Sequence, residues 1–246
     1  MTSPTAPSLP PMGEHPGEPH SDSVSGKLNS LRAGVLGAND GIVSVAGLVM
    51  GVAGATSDRE TIFVAGLAGL VAGALSMATG EYVSVSTQRD TELALIAKET
   101  RELAEDPEEE LAELAELYRQ KGLSEGLATK VAAELTGKDA LRAHLEIELG
   151  IDPDELVNPW QAARASMVAF TLGAMLPLVT ILLFSPSLRA VVTLAAVGVA
   201  LAGTGLVSAR IGGAPPRPAV VRNVLGGVLA MSVTYGVGYL AGLGMT

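Results

Sequence analysis

The chain has 246 residues, of which 48% are hydrophobic and only 17% charged, a balance that an ordinary water-soluble domain of this size rarely shows. It carries no Cys, which excludes disulfides, thiolate metal sites and cysteine nucleophiles and leaves Met and His as the softer ligands. The net charge of -10 is local, because residues 89–157 hold 19 of the 26 acids but only 8 of the 16 bases.

Residues 1–26 are rich in Pro, Ser and Gly and lack the apolar core of a signal peptide, so they are expected to form a disordered tail. Five stretches beyond them reach the roughly 20 apolar residues that span a hydrocarbon core as helix: 33–55, 61–86, 161–184, 188–209 and 220–245. Short polar breaks separate them at Thr56–Glu60, Ser185–Ser187 and Gly212–Pro218. Domain-sized space is left between the second and third stretches alone. The division expected is therefore a tail over 1–26, the first two spans over 27–87, an acidic helical domain over 88–158 and three spans over 159–246.

Lys and Arg concentrate on cytoplasmic flanks. With five spans, Lys27, Arg32, Arg89, Arg164, Arg210, Arg217 and Arg222 fall on one side, against Arg59 and Arg189 on the other. The N-terminus and the acidic segment are thus expected in the cytoplasm. Within that segment about four helices are expected, from the start signal Asp106-Pro107-Glu108-Glu109, the candidate N-caps Ser124 and Asp139, and the candidate stops Gly122, Gly137 and Gly150. The fold class is an all-α integral membrane protein with a cytoplasmic acidic helical bundle inserted between helices 2 and 3.

Three residues within or at the ends of the first two spans stand out. Asp40 lies inside the first span, where a carboxylate costs roughly 2.5–3.5 kcal/mol on insertion scales and is normally retained for a function. Met77 and Glu81, four residues apart, place a thioether and a carboxylate on one helix face. Facing a cation path explains all three together; capping, core filling and interfacial anchoring explain them only singly.

The acidic helices carry stripes. A rotation of 100° per residue sets Glu109, Glu113 and Glu116 opposite Leu111, Leu114, Ala115 and Tyr118, groups Glu92, Glu99, Glu102 and Asp106, and puts His144 and Glu148 on one face. A single charge stripe is usually a solvated face. Three converging stripes of mutually repelling carboxylates would instead recover energy from a cation, and oxygen ligands with one imidazole suit Fe2+ or Mn2+ better than Cu+.

Asn39-Asp40-Gly41, Ala72-Gly73-Ala74-Leu75-Ser76-Met77 and Gly80-Glu81-Tyr82 resemble the vacuolar iron transporter family, and with the acidic insertion and three later spans the similarity covers residues 27–246. The resemblance implies a homodimer of five-span chains that moves Fe2+ or Mn2+ out of the cytosol in exchange for protons, with no resident cofactor. It assigns Asp40 and Met77 to the translocation path and Glu99, Glu102, Glu113, Glu116 and Glu148 to a cytoplasmic metal-binding domain. Two departures stand out: Gly69 occupies the place of a second-span carboxylate of plant members, and His144 that of a Met ligand. Glu81 stands where those members have a small residue, so the membrane carboxylate is shifted about three turns along the helix.

A ferritin-like di-iron oxidase needs two Glu-x-x-His pairs. The histidines are His15, His20 and His144, and Leu141 stands three before His144, so no such pair exists and no enzymatic activity is expected. A membrane-anchored metal sensor or buffer accounts for the acidic helices but not for Asp40. Nucleotide-binding and hydrolase motifs are missing, and the acidic chain offers no basic nucleic-acid surface. The Ala- and Gly-rich composition points to a bacterial plasma membrane, the vacuolar membrane being the eukaryotic counterpart.

Overall fold

The computed structural model describes residues 24–154 and 156–244. All its elements are helical: α1 Val24–Ala55, α2 Arg59–Glu105, α3 Pro107–Gln120, α4 Glu125–His144, a π-helical turn Leu145–Leu149, α5 Pro159–Leu183, α6 Arg189–Ile211 and α7 Pro216–Leu243. The expected tail lies outside the described residues except for Val24–Gly26, which open α1. Five helices, α1, α2, α5, α6 and α7, are long and apolar enough to cross a membrane.

Expected and observed organisation differ most at α2. A span ending near residue 86 is followed by no break; one helix of 47 residues runs on to Glu105. At 1.5 Å per residue it is about 70 Å long, more than twice a hydrocarbon core of about 30 Å. The boundary expected between residues 87 and 88 therefore falls inside a rigid rod. Residues 81–105 contain no Pro or Gly, and the rod ends only at Asp106-Pro107, where the proline cannot continue the ladder.

Most of the helix signals past that point act as expected, although the expected stop Gly137 lies within α4 and Ser124 precedes α4 without a side-chain cap bond. Asp106 ends α2 and precedes α3, which has Pro107 in its first turn. Inside α4 the backbone leaves helical geometry at Asp139 (φ -164°, ψ 93°), and Asp139 Oδ1 accepts the Arg142 N–H at 3.0 Å, capping the second half. Gly150 ends the π-helical turn at φ 64°, a left-handed conformation that glycine adopts without a Cβ penalty. Leu114, Ala132 and Ala143 are the buried centre of this helical cluster, with Leu111, Tyr118, Leu135 and Ile147 against them.

In the span region α1 is the hub, packed on α2, α5, α6 and α7. Val45, Val49, Ile62, Phe170, Ile181, Leu201 and Met231 form the shared core. Close approach depends on small residues: a Cβ on Gly41 would lie 2.2 Å from Phe170 O, and one on Gly238 would lie 1.8 Å from Gly51 O. Gly66, Gly69, Gly73 and Gly227 likewise meet neighbouring helices, whereas Gly226 and Gly236 face nothing within 4 Å.

At the end of the bundle away from the acidic helices, Arg189 is buried at the start of α6 and donates to Thr56 O at 2.9 Å and Ser57 O at 3.2 Å. These carbonyls lie just past the C-terminus of α1, where a cation is favourable. Arg189→Met removes both charge-assisted bonds and is expected to destabilise the bundle by about 1–2 kcal/mol, read as a lowered thermal midpoint of the detergent-solubilised protein.

Candidate functional site

Four elements converge on His144. Its ring is fully buried at the end of α4, and Nδ1 lies 3.0 Å from Glu99 Oε1 on α2, 3.5 Å from Glu110 Oε2 on α3 and 3.8 Å from Glu148 Oε2 in the π-helical turn. One ligand atom each from Glu99, His144 and Glu148 fall within 4.8 Å of one another. The π-helical turn, a geometry often found at functional sites, carries Glu148 just past His144.

Burial makes this cluster costly without a cation. Glu99 is only 3% exposed; its Oε1 and His144 Nδ1 face each other at 3.0 Å without the alignment of a hydrogen bond, and His144 Nε2 has no partner among the described residues. Such orphaned polar atoms cost about 1–3 kcal/mol each. Burial first, then the carboxylates of Glu148, Glu110 and Glu102, pushes the Glu99 carboxyl up from 4.5 to about 7, with Lys98 opposing. Glu110 is also raised, by burial and then by Glu113, against the effect of His144. A divalent cation bound among these atoms would supply the missing partner and offset the repulsion. Carboxylates with one imidazole form a hard-to-borderline donor set.

Glu99, His144 and Glu148, expected as ligands, are thus brought together. Glu102 is tied to Lys98 at 2.6 Å on the cluster's edge, and Glu113 is close enough to act on Glu110. Glu116 is engaged elsewhere: Arg119 holds it at 2.5 Å, Gln120 donates to it, and its carboxyl falls to about 2. Glu110 was not expected. Its sequence signal is its phase: it shares the stripe of Leu114 and Leu117, four and seven residues on, and a Glu in an apolar stripe needs a buried partner.

A cavity of about 520 Å³ opens between α1 and α2. Asp40 and Ser44 line it from α1, Gly69, Gly73, Ser76, Met77, Gly80, Glu81 and Ser84 from α2, and Phe170 from α5. The three residues singled out from the spans therefore share one space. Gly69 lines it too, and Leu48 Cδ2 lies 2.2 Å from where a Gly69 Cβ would be, so an aliphatic tip occupies the room of a longer side chain. Near the mouth the Tyr82 and Trp160 rings meet at 4.7 Å, pinning α2 to the start of α5. Glu81 and Glu99 lie on the same rod, about 27 Å apart along its axis.

The sequence profile of the VIT family matches residues 31–239. The chain belongs to the VIT family. A "Vacuolar iron transporter" of Acanthamoeba castellanii is 42% identical over 226 residues, covering 92% of this chain and 83% of that protein. "Vacuolar iron transporter homolog 1" of Oryza sativa subsp. japonica is 39% identical over 232 residues (94% and 82%), and "VIT-like transporter 1b" of Glycine max 37% over 213 (86% and 76%). The VIT family match takes in the first four candidate spans, the acidic helices between the second and third, and the fifth span as far as residue 239.

Proposed function

We propose that the chain transports Fe2+ or Mn2+ across the membrane, out of the cytosol and in exchange for protons. The observation that carries this reading is the cavity shared by Asp40, Met77 and Glu81, on the rod that also bears Glu99. The names of the related proteins support iron as cargo. The excess of Lys and Arg on one set of flanks supports a cytosolic N-terminus and cytosolic acidic helices, the membrane being bacterial by composition.

The acidic helices capture the hydrated ion at Glu99, Glu110, His144 and Glu148. Glu81, Met77 and Asp40 then take it across, exchanging water ligands for two carboxylates and a thioether. Protons compete for the same carboxylates, so the acidic compartment favours release and drives exchange. The working unit is a homodimer.

The test is uptake into proteoliposomes containing a pH-sensitive dye, with Fe2+ under nitrogen and with Mn2+, for wild type and Asp40→Asn. Metal entry with lumenal alkalinisation, reduced at least about tenfold in the variant, is expected. Metal bound by the purified protein without flux would replace transport with a membrane-anchored buffer or sensor.

A further inference from the structure

Asp40 lines a second cavity, of about 540 Å³, reaching toward α7. Leu36 and Met77 line both, so the two spaces meet beside the Asp40 carboxylate. The second wall carries Arg222 and Asn223, from the second turn of α7. Among the described residues, Arg222 is the one basic side chain lining either cavity.

Three observations give that cation a task. The Asp40 carboxylate has no hydrogen bond among the described residues; Ser44 donates to its backbone oxygen instead, at 2.6 Å. Its neighbour Asn39 is tied to Thr204 on α6 at 3.3 Å, which fixes how this turn of α1 faces. Arg222 and Asp40 thus stand on two walls of one space with no ion pair within 4.0 Å. Both side chains are exposed at the walls of that space, and ionisable side chains within a span pair with one another or face water.

We propose that Arg222 is a tethered counter-charge that competes with the transported dication for Asp40. The two are more than 4.0 Å apart in the structure, and with no ion in the path a swing of the flexible Arg222 side chain across the second cavity neutralises Asp40. An arriving dication, with twice the charge, displaces it. The returning guanidinium then helps the ion to leave. A site without such a competitor would bind the ion more tightly and release it more slowly, because apparent affinity falls with the fraction of carriers whose site is free. Arg222 is in this sense a positioning residue, and the inference rests on Asp40 belonging to the ion path.

The experiment measures initial rates of Fe2+ uptake under nitrogen into proteoliposomes, over a range of Fe2+, for wild type, Arg222→Gln, Arg222→Lys and Asp40→Asn. Arg222→Gln is expected to lower KM at least about fivefold, the small end of a site-to-site coupling, and to lower the maximal rate with it. Arg222→Lys keeps the charge and stays near wild type. A slowed later step also lowers KM together with the maximal rate, so the contrast between Gln, which removes the charge, and Lys, which keeps it, is the decisive reading. An unchanged or raised KM in Arg222→Gln, or equal effects of Gln and Lys, overturns the proposal while wild-type flux and its loss in Asp40→Asn leave the transport reading standing. Absence of wild-type flux, or full flux in Asp40→Asn, overturns both.

Discussion

His144→Ala is expected to weaken Mn2+ binding to the purified full-length protein by about 10–100-fold, measured by calorimetric titration at pH 7.5. The imidazole is the one nitrogen donor among three carboxylates, and its loss leaves Glu99, Glu110 and Glu148 repelling one another across a void. Glu110→Gln is expected to lower affinity as well, whereas Glu116→Gln, whose carboxylate is already engaged by Arg119, stays near wild type. The pH dependence follows from Glu99. Its carboxyl titrates near 7 in the metal-free protein, so below that pH the ion must displace a proton and affinity falls by up to about tenfold per pH unit. Stability moves in the opposite sense: a folded-state value raised from 4.5 to about 7 stabilises the metal-free fold at low pH, and this contribution is lost as pH rises from about 4.5 through 7. Mn2+ should therefore raise the melting temperature strongly at pH 7.5 and little at pH 5. An equal rise at both would show that Glu99 is not part of the site.

The spans were legible because their signal is collective. Twenty apolar residues in a row have one low-energy arrangement in a bilayer, and Asp40 stands out against them. The acidic helices were legible as helices through their caps, with Pro107, Asp139 and Gly150 acting as read. The inner face of α3 was harder. Charge periodicity alone selects the stripe farthest from the leucines, which is the solvated one, and so favours Glu113 and Glu116. The cluster around His144 takes in Glu110, whose carboxylate is buried where His144 from α4 approaches it at 3.5 Å, and that contact is fixed by tertiary packing. The unbroken α2 was missed for a related reason: a change from apolar to charged composition near residue 87 marks where the membrane ends, and nothing there stops a helix.

Gly41→Leu is expected to cost about 3 kcal/mol or more and to leave little folded transporter, measured by recovery of a monodisperse peak and by thermal unfolding in detergent. The obstacle to a side chain here is the Phe170 carbonyl, 2.2 Å from the first added carbon, and a backbone oxygen inside a helix cannot rotate away as a side-chain tip can. The helices α1 and α5 must part instead, and Gly173, whose Cβ would lie 2.2 Å from Ala38 O, faces the same crossing from the other side. Gly236 supplies the contrast: with nothing within 4 Å, Gly236→Ala should be neutral or slightly stabilising, since alanine favours helix by about 1 kcal/mol. The milder Gly41→Ala separates packing from function. Parting α1 from α5 moves Asp40, the adjacent residue, relative to both cavities it lines, so flux should fall at least about tenfold in protein that still folds. Mn2+ affinity at the His144 cluster, carried on the far part of α2, should be unchanged. Glycine at 41 thus serves the carboxylate before it, and a Gly41→Ala transporter with wild-type flux would show that Asp40 does not need this crossing to hold its place.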